Sequence, residues 1–355
     1  MRSRSSAPSP PSLRALAVRV DERLARLFDA EVTRWQSIDP AIAAPLRALR
    51  HLVDAGGKRL RPAFCYWAFV GAGGDPDDAR IIDAGAAFEL LHAFALVHDD
   101  VMDGSDTRRG APTTHVEFAG EHQAGDWRGE ARRYGEGAAI LVGDLSHVYA
   151  DVLLGDVGGD AAAVWHELRL ELNVGQYLDL QATARADRDR IVAHRIARYK
   201  SGKYTIERPL HVGAALAGRL GDLQGALSAY GDPLGEAFQL RDDVLGAFGD
   251  PAVTGKPVGQ DLREGKPTPL LAVAVELASD GRTNLLDRVG QPGLSDSEVV
   301  AIQQLLVDGG ALDEIERLIE RLTARAIDAI DAADISSRAR DELVDLARFV
   351  ASRDA

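Results

Sequence analysis

The sequence predicts an all-α protein, and three observations carry that prediction. Alanine, leucine, arginine, aspartate and glutamate dominate its 355 residues, the usage of a helix-rich chain. Apolar residues recur at spacings of three and four along most of its length, the period of an amphipathic helix. No alternating apolar and polar run of useful length appears, and there is no Gly-x-Gly-x-x-Gly or P-loop sequence, so no sheet or dinucleotide-binding turn is expected.

Charge and cysteine usage narrow the function classes. A net charge of −14 argues against a nucleic-acid partner, whose footprint is a basic face, so any affinity for phosphate must be local. The single cysteine, Cys65, excludes an internal disulfide framework and a Cys-based zinc site. It lies in the apolar run Ala63 to Val70, which marks it as a core residue. No stretch reaches the ~18 uninterrupted apolar residues of a membrane span, and no apolar signal-peptide core stands at the N-terminus, so a cytoplasmic protein is expected.

Residues 1–12 are rich in Ser, Pro and Arg and are expected to form a flexible tail. From residue 13 a single all-α domain is expected to run to residue 355. Leu16, Val20, Leu24 and Leu27/Phe28 mark the first helix, and Leu46, Leu49 and Leu52/Val53 a second that starts after Asp39-Pro40. The loop Asp54 to Pro62 then sets paired glycines before Lys58, Arg59 and Arg61. Read chemically, a basic loop entering a helix N-terminus is an anion site; read blandly, it is an interhelical turn with solvated cations.

A long apolar helix follows, expected over 83–103, and it ends in His98-Asp99-Asp100-Val101-Met102-Asp103. Asp106 and the pair Arg108-Arg109 come immediately after. Asp99 and Asp103 fall on one face, with His92 on the same stripe. Like charges at that spacing repel unless a hard cation such as Mg²⁺ sits between them, and guanidinium pairs match phosphate oxygens. The alternatives are a solvated helix end and a core histidine.

Residues 118–137 lack a clear period and read as a mobile surface loop. Helical pattern resumes over 138–152 and again from 161 to about 184, where Gly175 beside Gln176 would allow a helix or ligand to approach closely. In the next apolar segment, 191 to about 216, the polar interruption Tyr199-Lys200-Ser201-Gly202-Lys203-Tyr204-Thr205 reads either as a functional break or as a simple kink. A second acidic cluster, Phe238-Gln239-Leu240-Arg241-Asp242-Asp243, shares one helical stripe with Gly246 and is expected to end its helix at 249–251. A loop over 253–268 carries Lys256, Asp261, Arg263 and Lys266. Beyond Leu270 the helices look structural.

These motifs, in this order, resemble the trans-isoprenyl diphosphate synthases. The resemblance covers about residues 40–270 and rests on six elements: Gly-Gly-Lys-x-x-Arg, the first Asp-Asp-x-x-Asp, the Arg-Arg pair, the Gly-Gln helix, the Lys-Ser-Gly break and Phe-Gln-x-x-Asp-Asp. It implies the isoprenoid synthase fold, one helical bundle around a central cavity, and condensation of isopentenyl diphosphate with an allylic diphosphate using Mg²⁺. It implies that Lys58, Arg61, His92 and Arg109 bind isopentenyl diphosphate, and that Arg108, Lys200, Lys256 and Lys266 bind the allylic diphosphate. It implies metal binding by Asp99, Asp103 and Asp242, with Asp100 and Asp243 in the same clusters. Gln176, Ser201 and Gln239 would lie near the developing cation.

The family is usually homodimeric. Its chain-length positions fall on Phe94 and Ala95, an aromatic followed by a small residue, as in geranylgeranyl-forming members; farnesyl diphosphate synthase is the alternative. The chain departs from the family at Gly246, where a third aspartate is common. A class I terpene cyclase would lack the isopentenyl site marked by Lys58, Arg61 and Arg109, and a non-catalytic partner subunit would have lost more acidic ligands.

Overall fold

Leu16, Val20, Leu24 and Phe28 do share a buried stripe, on α1 (Pro11–Gln36). The computed structural model describes residues 9–108, 110–249, 259–278 and 283–353. Helix α1 begins at Pro11, inside the expected tail, because Pro at a helix start loses no intrahelical hydrogen bond and Leu13 and Leu16 find a core. The rest of the expected tail, residues 1–8, lies outside the described residues.

The chain divides into two compact units, one formed by Pro11–Tyr66 and Asp75–Val157, the other by Trp67–Gly74 and the chain from Gly158 onward. The first unit is built on α4 (Ala79–Asp103), against which α1, α2 (Ala44–Asp54) and α6 (Ala131–Leu154) pack. Ser146 of α6 donates to the Leu90 carbonyl of α4 at 2.7 Å. Cys65, on α3 (Leu60–Gly71), is fully buried, and burial pushes its thiol pKa up, as a core residue requires.

Two readings of this unit need correction. Residues 118–137 are not a loop: most belong to α5 (Thr114–Ala124) and the start of α6. Their apolar contacts come from aromatic rings rather than a periodic aliphatic stripe, with Tyr134 packed 5.3 Å from both His122 and Trp127. A two-residue antiparallel ladder, β1 (Thr107–Arg108) against β2 (Ala111–Pro112), also follows α4, too short to leave an alternating pattern.

The second unit is organised on α10 (Leu220–Phe248), which packs against the helices Ala311–Asp331 and Ser337–Ser352. Leu306, Ile315, Ile319 and Leu322 are in its core, as their spacing predicts. The segment expected to break takes a specific form: α8 (Arg190–Ile196) continues into a π-helix over Ala197–Glu207 and then α9 (Arg208–Leu216). π-helical turns are rare and cluster at functional sites. This one is held by backbone approach, since a Cβ on Gly202 or Gly235 would strike the other glycine's backbone and one on Gly175 of α7 (Gly159–Ala184) would strike that of Lys200.

A buried polar network fixes the same turn. Arg208 grips Glu171 with two hydrogen bonds, at 2.6 and 2.7 Å, and Lys203 reaches Glu171 at 2.9 Å and Glu207 at 3.2 Å. Burial drops the His211 imidazole to about 4, so it is neutral. Its Nδ1 accepts from Arg208, which leaves Nε2 to donate to Ser228, whose hydroxyl donates to Glu207.

Candidate active site

Helix α4 stops at Asp103 because Gly104 takes the left-handed conformation (φ 64°) and caps it. Asp99, Asp100 and Asp103 therefore occupy the last turn, the negative end of the helix dipole, where carboxylates are destabilising unless cations answer them. One answer is internal. Arg108, brought back by the β1 strand, binds both oxygens of Asp100 at 2.6–3.0 Å. Asp100 is only 3% exposed; burial pushes its carboxyl up, against the pull of Arg108. Asp99 and Asp103 remain partly exposed, with Arg108 at 3.8 Å from Asp99. Asp100 and Arg108, expected at metal and diphosphate respectively, thus engage each other, and Arg109 lies outside the described residues.

The basic loop sorts its cations. Arg59, with a positive φ of 51°, turns inward and pairs with Asp21 and with Glu89, while Lys58 and Arg61 stay partly exposed. His92, Phe94 and Ala95 are half-buried on α4. The Phe94 ring is fixed between two imidazoles, stacked on His147 of α6 at 4.8 Å and edge-on to His98 at 4.7 Å. His147 was not singled out from the sequence because it lies within an ordinary helical pattern.

The second unit holds the other candidates. Asp242 and Asp243 lie in the last two turns of α10, again the wrong helix end for carboxylates, and α10 stops at Phe248 before Gly249. Gln239 donates to Asp243 at 2.7 Å. Asp243 is 3% exposed and its Oδ2 has no hydrogen-bond partner among the described residues. Burial pushes its carboxyl well above the usual range, and Asp261, Asp242 and Asp179 push it further. Lys200, on the π-helix, pairs with Asp179 of α7 at 2.5 Å. Ser201 and Gln176 are partly exposed nearby in sequence, and Lys266 lies 3.0 Å from Glu264. Lys256 and Asp250 fall outside the described residues.

Arg353 is a residue that sequence reasoning missed. It is 2% exposed, lies 4.0 Å over the Phe238 ring and binds Asp242 at 2.5 Å. A lone arginine after a helix carries no motif, so only the fold reveals it.

Residues 44–306 match the model of the family described as polyprenyl synthetase. This chain belongs to the polyprenyl synthetase family. The synthase is 35% identical over 329 residues to a geranylfarnesyl diphosphate synthase of Aeropyrum pernix, covering 90% of this chain and 96% of the relative. It is 34% identical to a (2E,6E)-farnesyl diphosphate synthase of Mycobacterium tuberculosis, covering 84% and 80%. Among solved structures, a geranylgeranyl pyrophosphate synthase from Corynebacterium glutamicum, complexed with isoprenyl diphosphate and magnesium, superposes with a TM-score of 0.89 at 36% identity. That match covers 95% of this chain and 98% of the other. The all-α isoprenoid synthase fold and prenyltransferase activity follow from this membership.

Among the described residues, no group of three or more His, Cys, Asp or Glu side chains could hold a metal ion by itself. The donor set nevertheless fits Mg²⁺, which takes one or two carboxylates and completes its shell with phosphate oxygens and water. The unpartnered buried Oδ2 of Asp243 is one sign that the second cluster requires a cation or a proton.

Proposed function

We propose that the synthase condenses isopentenyl diphosphate with an allylic diphosphate in a Mg²⁺-dependent reaction and releases geranylgeranyl diphosphate. The observation that carries this reading is the acidic end of α4, where Arg108 binds both oxygens of the buried Asp100 while Asp99 and Asp103, on the same turn, are partly exposed. Asp99, Asp103 and Asp242 are the proposed metal ligands. Mg²⁺, when bound, supplies the positive charge that stabilises the diphosphate leaving group.

The protein's own residues do the rest. Lys200, held by Asp179, and Lys266 add positive charge to the allylic diphosphate as its C–O bond breaks. Lys58, Arg61 and His92 orient isopentenyl diphosphate so that its double bond forms the new C–C bond with the allylic cation. Gln176, Ser201 and Gln239 present polar groups to that cation. The proton lost in the last step goes to the released diphosphate.

Product length follows from α4. Phe94 is locked by His98 and His147, whereas Ala95 is small and half-buried one turn, about 6 Å, below Asp99. Relatives named for farnesyl diphosphate favour the shorter alternative. Sizing the products made from isopentenyl diphosphate and allylic primers separates the two. Geranylgeranyl diphosphate is the expected product, and Ala95→Phe should shorten it by at least one isoprene unit; an unchanged product would remove Ala95 from the chain pocket.

A homodimer is part of the same proposal. Helices α4 and α6 are both long and apolar enough to cross a membrane by length and composition, but the apolar window of α4 is 67% buried, as in a core helix. That of α6 is 44% buried and leaves Ile140, Leu141, Val148 and Val152 exposed, a face that a second copy of this chain would cover.

A further inference from the structure

The departure at Gly246 has a structural counterpart within the same unit. A Cβ placed on Gly246 would fall inside the carboxylate of Asp261, so only glycine leaves Asp261 where it stands. Gly246 is four residues after Asp242 and three after Asp243, on the stripe that starts at Gln239. The carboxylate of Asp261 therefore lies on the acidic face of α10, at the height where the family's third aspartate would emerge.

We propose that Asp261 supplies, from the short helix α11 (Gln260–Glu264), the carboxylate that position 246 lacks, and that it serves binding of Mg²⁺ with diphosphate at the second acidic cluster. Its backbone is held on both sides. Gly259 and Gly265 flank α11 in the left-handed conformation, and the Asp261 carbonyl accepts from the amides of Gly265 and of Lys266, the latter at 3.1 Å. Leu262 is buried beside it, and Gly265 sits against the backbone of Gly290. A residue so fixed presents its side chain without first ordering a loop.

A second observation points to a ligand here. Asp243, three residues before Gly246 on α10, is 3% exposed and its Oδ2 lacks a hydrogen-bond partner among the described residues. A buried acceptor without a partner is satisfied by a cation or a proton, and bound Mg²⁺ would supply the cation. The proposal rests on the synthase reading, and its test separates the two.

Isothermal titration of Mg²⁺ with inorganic pyrophosphate into the full-length protein provides that test, with no turnover involved. Asp261→Ala should weaken binding about tenfold, the size of effect that lost metal-site support produces. Gly246→Ala should weaken it as well, because its methyl displaces the Asp261 carboxylate. In the Asp261→Ala background, Gly246→Asp returns a carboxylate to the emptied space and should recover most of the loss. Thermal unfolding without Mg²⁺ checks that each variant is folded. Wild-type binding by Asp261→Ala, with binding lost in Asp242→Ala, would overturn the role of Asp261 alone. Undiminished binding in both variants would overturn the metal-diphosphate reading beneath it.

Discussion

Replacing Asp99 by alanine should lower turnover by on the order of 10²–10³-fold, the scale seen when one preorganised stabiliser of developing charge is removed. The expectation rests on which carboxylates of the first cluster are partly exposed. Asp100 is buried and committed to Arg108, so it cannot take over, and Asp103 alone would remain. Folding should not suffer, because Asp99 sits at the negative end of the α4 dipole and its removal relieves repulsion. Steady-state kinetics beside thermal unfolding checks both halves. Near-normal turnover in a folded Asp99→Ala variant would contradict the ligand role.

Glu171→Leu should cost about 3–5 kcal/mol of stability, the range for removing one partner of a buried ion pair. Glu171 joins Arg208 and Lys203, and its loss would leave both cations buried without their shared counter-charge. Burial alone would raise the Glu171 carboxyl, but the hydrogen bonds from Arg208 and Lys203 outweigh it and hold its pKa below the ordinary value. Its contribution is therefore present above the unfolded carboxylate pKa and is lost as pH falls through the folded one. Urea unfolding at neutral pH measures the loss; a change below about 1 kcal/mol would show that the network is solvated rather than buried. Because Lys203 lies on the π-helix three residues after Lys200, the same variant should also loosen the turn that presents Lys200 and Ser201.

The helices that the sequence made legible are those with an aliphatic stripe. α1, α4 and α10 each bury residues spaced by three and four; α4 ends at Asp103 and α10 at Phe248, before Gly249, close to where the sequence places both acidic ends. α5 was not legible, because its packing uses Phe118, His115 and His122 amid glycine and charge. The site motifs were legible as a set of residue types, but their partners were not. Nothing local to the sequence pairs Arg59 with Asp21 and Glu89, Arg353 with Asp242, or Asp261 with Gly246, since each pairing depends on how distant segments pack. The polar interruption at 199–205 was visible as a break, whereas its π-helical form required the glycine contacts of Gly175 and Gly235.

The most direct test of the central claim is incorporation of isopentenyl diphosphate into an allylic diphosphate by the purified full-length chain, with Mg²⁺ and with Mg²⁺ chelated. The account predicts elongation that requires Mg²⁺ and ends mainly at geranylgeranyl diphosphate. Failure to elongate any allylic primer in the presence of Mg²⁺ would contradict it.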